Sequence, residues 1–122
     1  MSSHLSFGRR GEDLAASYLA KKGLLLVERN VRTPYGEIDL ILLDGEVVVF
    51  TEVKTRSAST FGGPRSAVNS KKRRRISMAA QSFLIRKGWQ DRAARFDIVG
   101  IVMADSEPCI DHLADAFDLV MD

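Results

Sequence analysis

The chain has 122 residues, of which 45% are hydrophobic and 28% charged, and its net charge is only +2. This length allows one domain, and the composition is typical of a globular protein and not of a disordered one. No apolar run approaches the roughly 20 residues that cross a bilayer, and the first residues lack the apolar core of a secretory signal. We therefore expect a cytoplasmic protein with no membrane partner.

The cysteine count excludes some kinds of site. Cys109 is the only cysteine, so an intrachain disulfide is impossible and a zinc site built on cysteines is disfavoured. Its side chain is expected to be a small, half-buried hydrophobe.

The first half of the chain predicts one helix followed by three strands. Apolar side chains recur at helical spacing over residues 9–22, and Gly23 is placed to end that helix. A Thr-Pro-Tyr-Gly turn and an Asp-Gly hairpin signal separate the segments that follow. The predicted strands are residues 24–32, 37–43 and 46–54.

The second half predicts a helix and at least one further strand. Residues 57–66 are rich in Ser, Gly and Pro and predict a mobile loop. Ser70 can cap a helix that runs to about Lys87. Residues 96–103 predict a strand, whereas residues 110–120 fit either a short strand or a helical turn. The predicted fold class is therefore α/β, in the order α-β-β-β-α-β, with helices flanking a mixed sheet.

The predicted hairpin places acidic side chains near one another. With Asp44-Gly45 as a two-residue loop, Asp39 lies opposite Phe50 and Glu37 lies opposite Glu52. Asp39 is then diagonal to Glu52, roughly 7–8 Å away between backbones and closer at the side chains. This separation suits two carboxylates that share one hard cation, Mg²⁺ or Mn²⁺.

Lys54 adds a cation to this pair of acids. Because side chains alternate along a strand, Asp39, Glu52 and Lys54 share one face. A lysine there can stabilise charge that develops on a phosphate or orient an attacking water. Two glutamates that face each other are destabilising without a cation, which makes Glu37 an additional candidate. The alternative is a solvated strand face held by ion pairs of little energy.

Five successive cations begin the second predicted helix. They oppose the helix macrodipole and repel one another, and an anionic partner would turn both costs into attraction. We therefore expect some of these cations to contact phosphate. The 57–66 loop either closes over the substrate or is only a connector. The alternative is a solvated helix face, since five residues spread over more than one turn. The predicted nucleic-acid-binding residues are Lys71, Lys72, Arg73, Arg74, Arg75 and Arg56.

Four short motifs resemble a known family. They are Gly36-Glu37-Ile38-Asp39-Leu40, Glu52-Val53-Lys54-Thr55-Arg56, Phe61-Gly62 and Arg95-Phe96-Asp97. Together they resemble the bacterial YraN-like family, an uncharacterised group assigned to the PD-(D/E)XK nuclease superfamily and similar to archaeal Holliday-junction resolvases. The resemblance covers residue 8 to about residue 117. One departure is Ile38, which stands where the superfamily has a proline, and a strand tolerates isoleucine better.

The resemblance implies a restriction-endonuclease-like core in a single nuclease-like domain over residues 1–122. It implies Asp39 and Glu52 as metal ligands and Lys54 as the catalytic lysine. It also implies that Glu12 reaches the metal directly or through water. Taken alone, Glu12 is a first-turn acid that favours the helix dipole.

Two functions follow from these residues. The first is an endonuclease that hydrolyses DNA, branched or damaged DNA included, with Mg²⁺ or Mn²⁺ held by Asp39, Glu52 and Glu12. The second is a nucleic-acid-binding or adaptor protein that keeps the fold without turnover. The acids clustered beside Lys54 favour the first. A homodimer could form through an exposed edge strand or the apolar tail around Leu113, Phe117 and Val120.

Several other residues are predicted to be structural. Arg95 and Asp97 are expected to pair with neighbouring charges, and Trp89 with Phe83 to belong to the core or an interface. His112 is expected at the surface or in a structural role near Asp111 and Asp115.

Overall fold

The computed structural model describes residues 3–57, 70–103 and 107–117, with side chains from residue 8 onward. The described residues form two helices and five strands in the predicted α-β-β-β-α-β order, and the ambiguous segment at residues 110–120 contributes the fifth strand. The 57–66 loop apart from Ser57, and Val120, lie outside the described residues. The elements are α1 (Ser3–Lys21), β1 (Leu25–Thr33), β2 (Gly36–Asp44), β3 (Val47–Ser57), α2 (Ser70–Lys87), β4 (Ala94–Met103) and β5 (Cys109–Phe117).

The sheet is mixed, as predicted. Its strands lie in the order β1-β2-β3-β4-β5, and three of the four neighbouring pairs are antiparallel. The remaining pair, β3 with β4, is parallel. Parallel neighbours need a long crossover connection, and α2 lies within that connection. None of the described helices is long and apolar enough to cross a membrane.

Each face of the sheet is covered by one helix. The aromatic side of the core lies under α2, where the ring of Phe50 contacts Phe83 and Phe96 at centroid distances of 6.0 and 5.6 Å. Trp89 packs against Phe83 at the edge of this layer. The other face is aliphatic and lies under α1, with Leu19 of the helix against buried strand residues. Cys109 is exposed, so the prediction of a half-buried thiol is wrong, because this residue begins an edge strand.

The register of the β2–β3 hairpin differs from the predicted one by two residues. Leu43 pairs with Val48, and Asp44 pairs with Val47. This pairing makes Gly45-Glu46 the two-residue loop. The reason is that Gly45 takes the first loop position with a φ of 60°, which a glycine adopts without strain. A shift of two leaves every side chain of β3 on its predicted face.

The predicted contact between Glu37 and Glu52 is also wrong. Glu37 lies opposite Arg32 of β1, and the Arg32 Nε is 3.5 Å from a Glu37 carboxylate oxygen. On the other side of β2, regular pairing with β3 ends at Leu40 and Thr51, before Glu37 is reached.

A buried carboxylate connects β4 to β5. Asp97 is 1% exposed and accepts hydrogen bonds from Arg95 Nε at 3.0 Å, His112 Nε2 at 2.8 Å and the Asp115 backbone N–H at 3.0 Å. Asp115 has a φ of 53° at the irregularity in β5, and Asp97 thus satisfies the amide that this bulge would leave without a strand partner.

The same network extends to α1 and to the hairpin. Lys22 donates to His112 Nδ1 at 3.0 Å, so the other ring nitrogen, Nε2, carries the proton donated to Asp97. Arg95 also contacts Asp44 at 2.7 Å. The hydrogen bonds of Asp97, together with those of Asp44, raise the pKa of Arg95. The His112 side chain is only 5% exposed, which fits the predicted structural role and excludes the surface position.

Candidate active site

Asp39 lies where regular strand pairing is interrupted on both sides of β2. The β1–β2 ladder pairs Arg29 with Leu40 and Val31 with Ile38 but omits the residues between them. One of these is Asn30, whose φ of 51° is left-handed, a conformation that asparagine tolerates better than most residues. The regular pairing of β2 with β3 stops at Leu40 and does not include its neighbour Asp39. Asp39 therefore lies where β2 loses regular pairing with both of its neighbours, a position that we call the fork in the sheet.

The Asp39 carboxylate takes the place of a missing strand contact. Its Oδ2 accepts a hydrogen bond from the Val53 backbone N–H at 2.8 Å. Burial raises the pKa of Asp39 to about 7, and the negative charges of Glu52, Glu12 and Glu37 act in the same direction. The Val53 hydrogen bond opposes this shift but does not cancel it. A carboxyl group that ionises near neutral pH is typical of functional sites.

Glu52 and Lys54 meet Lys72 of α2 on one side of β3. The Lys72 Nζ lies 2.8 Å from Glu52 Oε1, and the Glu52 side chain is only 12% exposed. A hydrogen bond with Lys72, together with partial burial, lowers the pKa of Lys54. Burial also acts to lower the pKa of Lys72, but its hydrogen bond with Glu52 and the charge of that carboxylate raise it overall. Lys72 therefore holds its proton more firmly than Lys54 does.

Glu12 approaches from the opposite side of the sheet. It is carried by α1, which packs closely on β3 because Gly11 presents no side chain towards Thr55. Arg29 lies 3.8 Å from the Glu12 carboxylate and 2.7 Å from that of Asp13. Glu12 is near enough to Asp39 for its charge to raise the Asp39 pKa, although Arg29 attracts it from β1.

The carboxylates offer ligands to Mg²⁺ or Mn²⁺ as a pair and not as a triad. Among the side chains that the structure describes, no group of three or more His, Cys, Asp or Glu residues could hold a metal ion. Asp39 and Glu52 are nevertheless hard oxygen donors whose mutual repulsion a cation would relieve. Mg²⁺ commonly takes one or two protein carboxylates and completes its shell with water and phosphate oxygens. The pair therefore supplies donors of the kind that such an ion takes.

The basic residues at the start of α2 lie in different environments. Lys72 turns towards Glu52, whereas the guanidinium of Arg73 packs over the Phe117 ring at 5.4 Å. Lys71 and Arg75 are exposed and line a cleft beside Glu37. Arg74 is also exposed, and Arg56 lies half-buried near the end of β3.

Two contributors to this region were missed by reasoning from sequence. Tyr35, predicted only as part of a turn, lines the same cleft as Lys71. The sequence signal that could have identified Tyr35 was its aromatic side chain within an otherwise polar turn. Lys72 was treated as one of five equivalent cations, and no local pattern distinguishes the one that contacts Glu52.

Fold and site together define an α/β protein whose described part has two helices and a carboxylate–lysine cluster at a fork in its sheet. The model of the uncharacterised protein family UPF0102 matches residues 11–101. The chain belongs to this family, which confirms the predicted membership of an uncharacterised bacterial family.

Relatives in this family match nearly the whole chain. A UPF0102 protein of Geobacter metallireducens is 43% identical over 120 residues, covering 98% of both chains. Another, from Anaeromyxobacter dehalogenans, is 43% identical over 93% of this chain and 84% of its own. A third, from Geobacter sulfurreducens, is 45% identical over 92% of this chain and 88% of its own. Their names state the family and no activity.

Proposed function

We propose that this protein is a metal-dependent endonuclease of the PD-(D/E)XK kind that hydrolyses phosphodiester bonds in DNA, branched or damaged DNA included. The observation that carries the proposal is the half-buried Asp39 carboxylate, whose hydrogen bond from the Val53 N–H and raised pKa of about 7 place it beside Glu52. Two neighbouring lysines contact the same cluster. Like-charged acids gathered in a partly buried fork cost stability, and such a cost is typical of sites kept for chemistry.

Asp39 and Glu52 would hold Mg²⁺ or Mn²⁺, with Glu12 supporting the ion through water. When bound, the cation supplies Lewis-acid activation of the phosphate and a lowered pKa for an attacking water. The chain's own contribution is to hold the Asp39 carboxylate rigidly, since the Val53 N–H fixes one of its oxygens.

The two lysines have different parts in this proposal. Lys72 keeps its proton, because Glu52 raises its pKa, and it offers positive charge to a phosphate that approaches the acids. Lys54 loses its proton more readily, because the hydrogen bond with Lys72 lowers its pKa. Its amine can orient the attacking water, or donate to a phosphate oxygen when protonated.

The direct test measures cleavage of labelled linear, flapped and four-way DNA by the purified full chain, with Mg²⁺, Mn²⁺ or EDTA. Asp39→Asn, Glu52→Gln and Lys54→Ala should each lower the metal-dependent rate by about 100-fold or more, since each removes a group that acts in the transition state. Glu46→Gln, an exposed acid of the hairpin loop, is the matched control and should cleave normally. Cleavage that persists in Asp39→Asn would rule out this active site.

The second candidate is a nucleic-acid-binding or adaptor protein without turnover. The ion pair between Lys72 and Glu52 favours it, because Glu52 is already neutralised without a metal. This function predicts salt-sensitive DNA binding with no cleavage in any of the divalent cations, and no heat of Mg²⁺ or Mn²⁺ binding in calorimetry. Metal-dependent cleavage abolished by Asp39→Asn would exclude it.

A further inference from the structure

A cleft of about 420 Å³ lies between the β1–β2 turn and the first turns of α2. One wall is formed by the turn, with Tyr35 and Glu37, and the other by Lys71 and Arg75 of the helix. Ile76, which is 8% exposed, contributes an apolar surface. The volume is in the range of sites that hold one small organic ligand.

The cleft is continuous with the candidate active site. Lys72 lines it and also places its Nζ 2.8 Å from Glu52. Glu37 lines it and lies close enough to Asp39 to raise the pKa of that carboxyl. A group bound in the cleft would therefore lie next to the carboxylate pair.

The lining chemistry combines an aromatic ring with cations. Tyr35 is 44% exposed, so its ring is open to a ligand. Lys71 and Arg75 are exposed on the facing helix, and neither has an ion-pair partner in the described part of the chain. An exposed ring beside unpaired cations is the arrangement on which proteins stack a base and hold its phosphate.

A second cleft on the other side of Tyr35 provides a comparison. It measures about 260 Å³ and its described lining comprises Met78, Gln81, Ser82 and Ile85 besides the tyrosine. This lining has no cation, so a phosphate-bearing ligand favours the first cleft.

We propose that the first cleft binds one unpaired nucleotide of a DNA strand, its base stacked on Tyr35 and its phosphate held by Lys71 and Arg75. In a duplex each base is held inside the helix by pairing and by its stacked neighbours, so an unpaired base is the one that is free to enter the cleft and stack on this ring. The inference rests on the proposed function and assigns Tyr35 to substrate selection, with DNA that carries single-stranded segments as the preferred class.

The test measures binding in the Asp39→Asn background, so that cleavage does not interfere. Fluorescence anisotropy compares a blunt duplex with the same duplex carrying a single-stranded tail. The Asp39→Asn protein should bind the tailed DNA more tightly. Adding Tyr35→Ala should weaken tailed-DNA binding by about 5- to 150-fold, the loss of one stacked base, and leave blunt-duplex binding unchanged.

Two controls make the outcome specific. Tyr35→Phe keeps the ring and should retain tailed-DNA binding, and Leu25→Ala, an exposed apolar residue of β1 at 65% exposure, should have no effect. Equal binding of tailed and blunt DNA, or equal weakening of both by Tyr35→Ala, would overturn the cleft assignment. Either result leaves the cleavage assay of the unsubstituted protein intact, so failure of the cleft and failure of the nuclease proposal are distinguishable.

Discussion

At the scale of single residues, Asp39 is a position where the fold opposes ionisation of a carboxyl group. Its carboxyl group has an ordinary pKa of 3.8, which the fold raises to about 7 through burial and the charge of Glu52. The folded state therefore binds more protons than the unfolded state between about pH 4 and pH 7. The contribution of Asp39 to stability therefore falls as pH rises through this window, because ionising Asp39 costs more in the folded chain.

The substitution Asp39→Asn should remove this pH dependence. Asparagine stays neutral and can still accept the Val53 hydrogen bond through its side-chain oxygen, so we expect a higher melting temperature than wild type at pH 8 and a much smaller difference at pH 4. Thermal unfolding in EDTA, followed by circular dichroism from pH 4 to pH 8, measures this. Asp111→Asn, an exposed acid of β5, is the control. Parallel profiles for wild type and Asp39→Asn would contradict the raised pKa.

At the scale of the elements, the α1–β3 contact depends on one glycine. A Cβ at Gly11 would overlap the Thr55 side chain, whereas a Cβ at Gly8, one turn earlier, would meet nothing within 4 Å. Both residues lie in the same helix. The space at Gly11 lets α1 approach β3 and brings Glu12 towards Asp39.

Two alanine substitutions should therefore have opposite effects. Gly8→Ala should stabilise the fold by about 0.5–1 kcal/mol through helix propensity alone. Gly11→Ala should destabilise it by about 1–3 kcal/mol through overpacking, and should lower any cleavage rate because Glu12 moves with α1. Urea denaturation measures both free energies of unfolding. If Gly11→Ala stabilised the chain as Gly8→Ala does, the close helix–strand approach would be refuted.

The elements were largely predictable from sequence, and the details of the site were not. Local spacing predicted both helices and the hairpin, and strand alternation placed Glu52 and Lys54 on one face. The register was wrong because an Asp-Gly pair fits equally well when Asp44 ends the strand. The fork at Asp39 depends on the left-handed Asn30 of the neighbouring strand, and the contact of Lys72 with Glu52 depends on a crossover. Neither has a local signal.

At the scale of the whole molecule, Asp97 joins parts of the chain that are far apart in sequence. Arg95 carries the connection to Asp44 of β2, and His112 carries it to Lys22 at the end of α1. Within the described part of the chain, four hydrogen bonds end on the Asp97 carboxylate, two of them from Arg95, and its side chain is fully buried. Deleting one partner of such a network leaves the others without compensation.

Asp97→Ala should consequently destabilise the protein by about 3–5 kcal/mol, since it leaves the Arg95 Nε–H, the His112 ring N–H and the Asp115 amide without their acceptor. Asp44→Asn is the matched control, because it removes the other, exposed partner of the same arginine and should cost about 1 kcal/mol or less. Chemical denaturation compares the two. Equal losses would show that burial of the Asp97 carboxylate contributes nothing.

The β3–β4 pair, the one parallel pair among the described strands, constrains the order of folding. Strands β1, β2 and β3 are joined by tight turns, so their pairing closes only short loops, whereas β4 can join β3 only after the chain has passed through α2. Asp39 and Glu52 lie in the β1–β2–β3 segment, whose strands we expect to pair early. Lys72 reaches Glu52 only when α2, the helix that connects β3 to β4, packs on the sheet. We expect the acids to meet before the ammonium group that neutralises Glu52, so the repulsion between them is greatest midway through folding and is relieved when α2 docks.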